Sequence, residues 1–510
     1  MKTMKILKGN TLRLNQDSSL NCLFRLDVSN IIGFGHLKRC LSLACELTKV
    51  GIYCDFLVNS DCYEYISSEL KDKLNTFEVF LNDISATLNS QDVMLSEILQ
   101  IKNSNNINSI SKEYDFLVLD HYGLSNSFVS RVKFNFPNIK VIHFNDLNDK
   151  TLDVDFMISS LPLKQFNIRG DNKNSLIGPR YSIVDNEFIL LAKESNVKKS
   201  VSNGISKIII CFGSMDLCNL SVEFMINEFC SRFEHVRVLL SSTSKALEGV
   251  MAKIRSMSLN NVECVVDGRV VDHMLWADIF IGSPGVMAWE CSIMSLPSIL
   301  IPIAVNQKNN AHIFSNNNCS IVLDRSDDIV NQCLSVIGSI KSAVYQSMVE
   351  SNSNMIDGFG AGRIGFAMLM LRSKVSLRIL TNHDMKTIFE WQIEPGNRVY
   401  SNNTSPPSLD EHVDWFSSLS QDEKNKFYII MIGSIEVGFI RLTDYGDKKL
   451  VSILLKKSAQ GLGVAKHVLR IIVDLHAGNL VAEIHEDNIA SISVFKAVGF
   501  ESHSPGFYFA

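Results

Sequence analysis

The sequence predicts an α/β protein with two doubly wound, Rossmann-like domains followed by a smaller third α/β domain. Short apolar segments bounded by Gly, Asp or Ser alternate with segments of helix length, which is typical of parallel sheets covered by helices on both faces. A polar, Ser/Asn-rich segment at 194–204 separates two such blocks, and no cysteine follows Cys333. Because domains average roughly 150 residues, a chain of 510 residues has room for three. We place these domains at 1–195, 204–372 and 374–510.

Composition and charge exclude several classes of protein. The chain is 46% apolar and has a formal net charge of −5, so it has no cationic excess for nucleic acid. The most apolar stretch, at 295–305, contains Pro297 and Pro302, whereas a membrane span needs about 20 apolar residues. The N-terminus turns polar at once, unlike a signal peptide. The cysteines occur singly and without zinc-ligand spacing, so we expect reduced thiols in a cytoplasmic protein and no metal.

Apolar runs and glycine-containing loops predict the elements of each block. The third block begins with a strand and an amphipathic helix from residue 374, then two strands around a turn near Gly433. Strand, loop and helix follow at 450–475, and again in the tail at 481–500. Six apolar runs of the first two blocks are predicted to be parallel strands: 115–123, 206–214, 236–242, 262–268, 277–285 and 297–303.

A glycine-rich turn follows the predicted strand at 21–29. Gly33 and Gly35 allow a tight turn into a helix whose first amides can face an anion. His36 lies at the helix start, where a neutral imidazole can accept a proton from water near pH 7. The alternative is a histidine that only caps or packs there. Arg39 lies either near bound phosphates or on the helix surface.

Two loops of the second block place small residues between a strand and a helix, where doubly wound folds bind phosphates. Glu290 lies about one helical turn beyond Gly285, within reach of ribose hydroxyls. The alternative is that the glycines only allow close packing of helix against strand. The candidate nucleotide-binding residues of this block are Gly213, Ser214, Gly285, Val286, Met287, Glu290, Asn306 and Gln307.

Taken together, these motifs resemble the nucleotide-sugar hydrolases of pseudaminic acid biosynthesis, relatives of the GT-B glycosyltransferases. The resemblance covers roughly residues 22–370 in collinear order, and it implies release of UDP from UDP-2,4-diacetamido-2,4,6-trideoxy-β-L-altropyranose. It also implies that His36 is the general base, that Tyr122 contacts substrate, and that Glu290 and Asn306 contact nucleotide or sugar. The motifs that carry it are IIGFGHLKRCLSLACEL, VLDHYGL, LIGPRYSIV, FGSMD, GVMAWECSIMSLPSILIPIAVNQ and DGFGAGR.

The chain departs from this family at three positions. Asn145 stands where one of two aspartates is expected, and Pro284 and Val286 replace small or hydroxyl residues. These changes are expected to alter contacts with the diphosphate and not the proposed base. Asp153 and Asp155 form a DxD sequence, which we interpret as structural because it precedes a predicted strand.

The third block resembles the GNAT acetyltransferases over about residues 375–510. QGLGVA follows a predicted strand and precedes a helix, and NIASISVFKAVGF matches the closing segment of that family. Helix-start amides would hold the pyrophosphate of acetyl-CoA, and the family implies that the flanking strands separate around pantetheine. The alternative is a glycine-kinked loop in an unrelated domain. The candidate acetyl-CoA-binding residues are Gln460, Gly461, Leu462, Gly463, Val464, Ala465 and Asn488.

One departure concerns proton transfer in the third block. Phe495 replaces the tyrosine that many GNAT members use as a general acid, and its ring cannot donate a proton. Tyr508 is a possible replacement acid. Candidate bases on the flanking strands are Ser452, Glu483 and His485.

Both resemblances imply consecutive steps, so we expect a bifunctional enzyme. The third domain would acetylate a UDP-4-amino sugar with acetyl-CoA as co-substrate, and the first two domains would hydrolyse the product with inversion. The partners would be small molecules and not nucleic acid, and the oligomeric state stays open. Two alternatives are a UDP-sugar glycosyltransferase and a nucleotide-sugar-binding protein that has lost catalysis.

Overall fold

The computed structural model describes most of the chain. The chain forms two compact units, Met1–Ala361 and Gly362–Ala510. The helix Gly360–Met370 contains this division. The predicted boundaries between domains remain predictions, and most of the predicted linker at 194–204 lies outside the described residues. The described residues are 5–7, 20–26, 34–59, 68–82, 95, 98, 113–121, 123–147, 152–161, 175–194, 201, 204–213, 215–424, 426–476 and 478–510.

The first sheet of unit 1 has eight strands within the described ranges. They are β1 (Lys5–Leu7), β2 (Leu20–Leu26), β3 (Ile52–Asn59), β4 (Glu78–Asn82), β5 (Phe116–Asp120), β6 (Lys140–Phe144), β7 (Phe156–Ser159) and β8 (Ser175–Ile177). The strand order is β1-β4-β3-β2-β5-β6-β7-β8, and among the described strands only the β1–β4 pair is antiparallel. The order reverses between β2 and β5. Ligands bind at such a switch point in open α/β sheets, outside the carboxyl ends of the strands.

The second sheet of unit 1 has six parallel strands. They are β9 (Lys207–Cys211), β10 (His235–Leu240), β11 (Val262–Val266), β12 (Ile279–Gly282), β13 (Ser298–Leu300) and β14 (Ser320–Val322). The strand order is β11-β10-β9-β12-β13-β14, so the switch point lies between β9 and β12. Both predicted phosphate loops follow these two strands. All six predicted strands of the first two blocks are present in the two sheets.

Helices cover both faces of these sheets, which is why the strands are apolar along their length. All five residues of β5 are buried, as are four of the five in β9. The α-helices of unit 1 and of the division are α1 (Gly35–Lys49), α2 (Ser68–Leu74), α3 (Asn126–Asn135), α4 (Asn186–Glu194), α5 (Leu220–Glu223), α6 (Asn227–Cys230), α7 (Ala246–Ser256), α8 (Val270–Trp276), α9 (Val286–Ile293), α10 (Gln307–Asn316), α11 (Ile329–Ser339), α12 (Ser342–Met355) and α13 (Gly360–Met370).

Unit 2 is built on a seven-stranded sheet. Its strands are β15 (Val375–Ile379), β16 (Phe427–Ile432), β17 (Ile435–Tyr445), β18 (Lys448–Leu455), β19 (Leu480–Glu483), β20 (Glu501–Ser504) and β21 (Phe507–Phe509). The order is β15-β16-β17-β18-β19-β21-β20. Its α-helices are α14 (Met385–Ile393), α15 (Leu409–Ser418), α16 (Gln421–Lys424), α17 (Val464–Leu475) and α18 (Ile489–Lys496).

The β18–β19 pair is parallel and unusually short. It joins Lys449 to Leu480 and Leu450 to Val481, although β18 continues to Leu455 and β19 to Glu483. The two strands therefore separate towards their carboxyl ends, as the resemblance implied. Two doubly wound sheets followed by this mixed sheet confirm the predicted fold class. Within the described chain, no helix has the length and apolar character needed to cross a bilayer.

Candidate active sites

The two switch points of unit 1 open onto one cavity of about 340 Å³. Residues from both sheets line it, so a ligand bound there would contact both sheets at once. Gly33, Tyr122 and Ser214 lie outside the described residues, and their predicted roles remain predictions. The other predicted residues of unit 1 all line this cavity: Gly35, His36, Arg39, Gly213, Gly285, Val286, Met287, Glu290, Asn306 and Gln307.

His36 is held by a carboxylate that was not predicted from the sequence. It lies in the first turn of α1, just after the first switch point, and Asp120 ends β5 on the other side of that point. His36 Nδ1 lies 2.5 Å from Asp120 Oδ1, and both residues are buried. A carboxylate that accepts a hydrogen bond from Nδ1–H fixes the neutral ring in the tautomer whose basic nitrogen is Nε2. His36 is therefore oriented as a base.

Arg39, one turn further along α1, neutralises this carboxylate. Its Nε and Nη2 donate to the two Asp120 oxygens at 2.7 and 2.5 Å, and its Nη1 lies 2.8 Å from Asp146. Burial disfavours the ionised form of Asp120, but Arg39 and His36 outweigh burial and hold the pKa of Asp120 well below its usual range. Arg39 thus keeps Asp120 ionised. A contact of Arg39 with phosphate remains a prediction.

The second sheet presents two loops to the cavity. Gly213 follows β9 with φ of +88°, a left-handed conformation that glycine adopts without strain. Gly285 is the N-cap of α9, so the first amides of that helix, including Val286 and Met287, begin at the cavity wall. Anions are stabilised at such helix starts by backbone N–H groups and the helix dipole. The loops are therefore suited to a diphosphate.

Glu290 is a buried carboxylate on the same helix. Its Oε2 is enclosed and has no hydrogen-bond partner among the residues that the structure describes. Burial raises the pKa of Glu290, and the charge of Lys38 partly opposes this shift. Lys38 lines the cavity from α1 and has no ion pair within the described ranges. An acceptor and a cation are thus both available to a ligand.

Asn306 and Gln307 lie where α10 begins. Asn306 is the N-cap residue, and the Gln307 Oε1 accepts a hydrogen bond from the Ile303 amide at 2.9 Å. The Gln307 side chain therefore closes the turn after β13. Asp155 of the DxD sequence accepts from Lys140 at 3.1 Å and from the Val141 amide at 2.9 Å, which agrees with a structural interpretation.

In unit 2, the predicted acetyl-CoA loop connects β18 to α17. Gly461 and Gly463 have φ of +77° and +82°, and Gly463 is the N-cap of α17. Leu462 lies between these glycines, and Val464 and Ala465 form the first turn. The Gln460 Nε2 donates hydrogen bonds to the Leu455 carbonyl and to Asn397 Oδ1, each at 2.9 Å. These bonds anchor the start of the loop. The arrangement presents helix-start amides beyond the point where β18 and β19 separate.

The other candidates of unit 2 lie in different environments. Asn488 is the N-cap of α18, and its Oδ1 accepts from the Ser491 amide at 3.2 Å. Phe495 is buried against Phe500. Register pairs Glu483 with Phe507 and Ala482 with Tyr508, so Glu483 and the buried Tyr508 lie on opposite faces of the sheet.

The remaining two candidates are more accessible. Ser452 is half-buried on β18, and exposed His485 follows β19 with its ring 5.6 Å from that of Tyr400. The roles of all these residues in acetyl transfer remain predictions.

Comparison with known proteins finds similarity to both parts of the chain. Residues 374–501 match the acetyltransferase (GNAT) domain family. The chain is 22% identical over 519 aligned residues to the uncharacterized protein MJ1062 of Methanocaldococcus jannaschii, covering 94% of this chain and 96% of that protein. It is 24% identical over 269 residues to the UDP-2,4-diacetamido-2,4,6-trideoxy-β-L-altropyranose hydrolase of Campylobacter jejuni, covering 50% and 81%. The MurG structure from Acinetobacter baumannii is 12% identical with a TM-score of 0.46, covering 68% and 98%.

Unit 2 therefore contains a GNAT acetyltransferase domain, as the QGLGVA motif indicated, and this family supports acetyl-CoA as co-substrate. The chain is also a partial homologue of the hydrolase from C. jejuni. Two residues that line the first cavity, Lys38 and Asp146, were missed from sequence, as was Asp120, which contacts His36. An aspartate that ends a buried apolar strand was the available signal for Asp120.

Proposed function

We propose that this chain is a bifunctional nucleotide-sugar enzyme of pseudaminic acid biosynthesis. Unit 2 transfers an acetyl group from acetyl-CoA to a UDP-4-amino sugar. Unit 1 then hydrolyses UDP-2,4-diacetamido-2,4,6-trideoxy-β-L-altropyranose to UDP and the diacetamido sugar. The observation that carries the hydrolytic half is that His36, paired with Asp120, lines a cavity at both switch points. The unpaired thiols of the described cysteines fit a cytoplasmic location.

Hydrolysis needs a base, a positioned water and a stabilised leaving group. His36 Nε2 accepts a proton as the water oxygen bonds to C1, and the bond from C1 to the UDP oxygen breaks. Asp120 stabilises the imidazolium that forms, and Arg39 keeps Asp120 ionised. General base catalysis contributes about 10²–10⁴-fold. Because water attacks the face opposite UDP, the product is inverted at C1.

The second sheet binds the nucleotide. The loop at Gly213 and the start of α9 receive the diphosphate, whose charge increases as the C1–O bond breaks. Lys38 adds a cation from the opposite wall. The buried Oε2 of Glu290 accepts from ribose hydroxyls, which satisfies an oxygen that has no partner in the described protein.

Acetyl transfer occurs where β18 and β19 separate. The 4-amino nitrogen attacks the thioester carbonyl, a C–N bond forms, the C–S bond breaks, and CoA leaves as a thiolate. Glu483, on the face that also carries Ser452, accepts the amine proton. Water protonates the thiolate, because Phe495 has no acidic proton and Tyr508 is buried on the other face. Covalent linkage of the two units raises the local concentration of the intermediate.

A product-resolved assay tests the proposal. The full chain is incubated with acetyl-CoA and a UDP-4-amino sugar, and CoA thiol, UDP and sugar are followed together. We expect thiol release first, and then UDP with an equal amount of diacetamido sugar. Thiol release without UDP would reject the hydrolytic half. UDP release that requires an added sugar acceptor would indicate a glycosyltransferase, and tight UDP binding without turnover would indicate a binding protein.

A further inference from the structure

Arg441 on β17 is a half-buried cation that forms no ion pair with any residue that the structure describes. Its guanidinium lies 5.5 Å from the centroid of the Phe427 ring, and its Nε is enclosed without a hydrogen-bond partner in the described chain. Arg378 in the same sheet shows the contrast, because Asp384 and Glu436 both bind it. A desolvated guanidinium is costly unless an anion or acceptor meets it. Arg441 therefore has unused capacity for an acceptor.

The register places Arg441 beside the predicted site of acetyl transfer. Arg441 pairs directly with Ser452 of β18, so both side chains lie on one face of the sheet. Ser452 lies two residues beyond Leu450, the last residue of β18 that pairs with β19. Arg441 thus lies one strand away from the point where the gap opens.

A carboxylate lies across the gap on the same face. Glu483 lies two residues beyond Val481, the partner of Leu450, so alternation places it on the face of Ser452 and Arg441. Its side chain is exposed and forms no ion pair with any described residue. One face of the opening therefore carries a cation and a carboxylate that do not neutralise each other.

We propose that Arg441 binds an oxyanion carried by the acetyl acceptor, so that this domain selects amines that also bear a phosphate or carboxylate group. The planar guanidinium matches two oxygens of such a group, and Phe427 supports its face. Glu483 receives the amine of the same molecule. The inference rests on the proposed acetyltransferase function, and for a UDP-4-amino sugar the oxyanion is the diphosphate.

The test compares acceptors that differ only in charge. CoA thiol release by the full chain is measured with a UDP-4-amino sugar and the matching 4-amino sugar, and with glucosamine 6-phosphate and glucosamine. We expect Arg441→Gln to raise the KM of the anionic amines at least tenfold and to leave the KM of acetyl-CoA and of the neutral amines unchanged. Arg441→Lys should restore part of the loss. Arg470→Gln, which removes an exposed arginine of α17, is the matched control.

Turnover of the neutral amines reports folding of each variant. Equal effects of Arg441→Gln on charged and neutral amines, or no acetylation of either anionic amine, would overturn the inference. If only glucosamine 6-phosphate is acetylated and its KM depends on Arg441, the inference stands and the pseudaminic acid assignment fails. Hydrolysis of the pre-acetylated UDP sugar is measured separately, so loss of the hydrolytic half is also distinguishable.

Discussion

Asp120 shows how one buried residue controls the proposed base. Arg39 and His36 stabilise the ionised form of Asp120. The carboxylate therefore stays deprotonated and can orient the His36 imidazole. Asparagine at this position can donate its amide N–H to Nδ1. This favours the tautomer that carries its proton on Nε2, which then cannot act as the base. We expect Asp120→Asn to lower kcat for UDP release by about 10²–10⁴-fold. Steady-state kinetics with the diacetamido UDP sugar measure this loss, and Asp153→Asn, at an exposed carboxylate, should retain wild-type rates.

The same carboxylate predicts a dependence of stability on pH. The pKa of Asp120 is lowered in the folded protein, so its stabilisation is present above the unfolded value of about 3.9 and is lost as pH falls. Wild type should therefore unfold at a higher temperature than Asp120→Asn at pH 7, and the difference should shrink between pH 5 and roughly 3. Thermal unfolding at several pH values measures this. A difference that grows on acidification contradicts the assignment.

Glu290 predicts opposite effects on stability and binding. Its burial disfavours the charge and leaves Oε2 without a partner in the described protein, which costs about 1–3 kcal/mol when no ligand is bound. We expect Glu290→Gln to stabilise the unliganded protein by about 1 kcal/mol and to weaken UDP binding about tenfold. Chemical unfolding and calorimetric titration with UDP measure the two effects. Glu234→Gln, at an exposed position, should change neither. A destabilised variant with unchanged UDP affinity would refute the proposed ribose contact.

At the scale of elements, a strand, a glycine turn and a helix start recur at three sites. Two of them lie at switch points of parallel sheets, and the third lies beside two strands that separate after two paired residues. The recurrence has a common cause. Parallel strands direct their carboxyl ends to one edge, and the following helices present unsatisfied amides there. The sequence can therefore indicate such sites from local pattern alone.

The loop before α17 offers a test with a matched control. Gly463 and Gly478 have φ of +82° and +77°, and a Cβ on either would meet no atom within 4 Å. Replacing either glycine by alanine should therefore lower the free energy of unfolding by about 1–2 kcal/mol through backbone strain alone. Only Gly463→Ala should also raise the Kd of acetyl-CoA, because it displaces the amides of the first turn. Unfolding and acetyl-CoA titration of both variants measure this, and equal Kd values for them would contradict the assigned loop.

At the scale of the whole molecule, the two activities should separate by single substitutions. His36 belongs to unit 1 and the GNAT domain to unit 2. We expect His36→Ala to release CoA thiol at the wild-type rate, to release UDP at least about 10²-fold more slowly, and to accumulate the acetylated UDP sugar. Chromatography of nucleotide products over time measures all three. UDP release at the wild-type rate by this variant would contradict the role of His36 as the general base.

Periodicity and turn composition were sufficient to predict the fold class, because a buried parallel strand must be apolar along its whole length. The runs at 206–214 and 277–285 became β9 and β12, and Gly213 and Gly285 at their ends line the cavity. The apolar run at 52–59 became β3, a strand that was not predicted although its composition carried the same signal.

The sequence by itself determined the parallel α/β architecture, the glycine turns and His36 as a candidate base, since each depends on residues close together in the chain. Only the tertiary structure decided which carboxylate orients His36, because Asp120 lies 84 residues away and reaches it through the pairing of β2 with β5. Likewise, only the tertiary structure places Arg441, Ser452 and Glu483 on one face of the sheet. Strand order and register bring such groups together, and these arise from packing of the whole sheet.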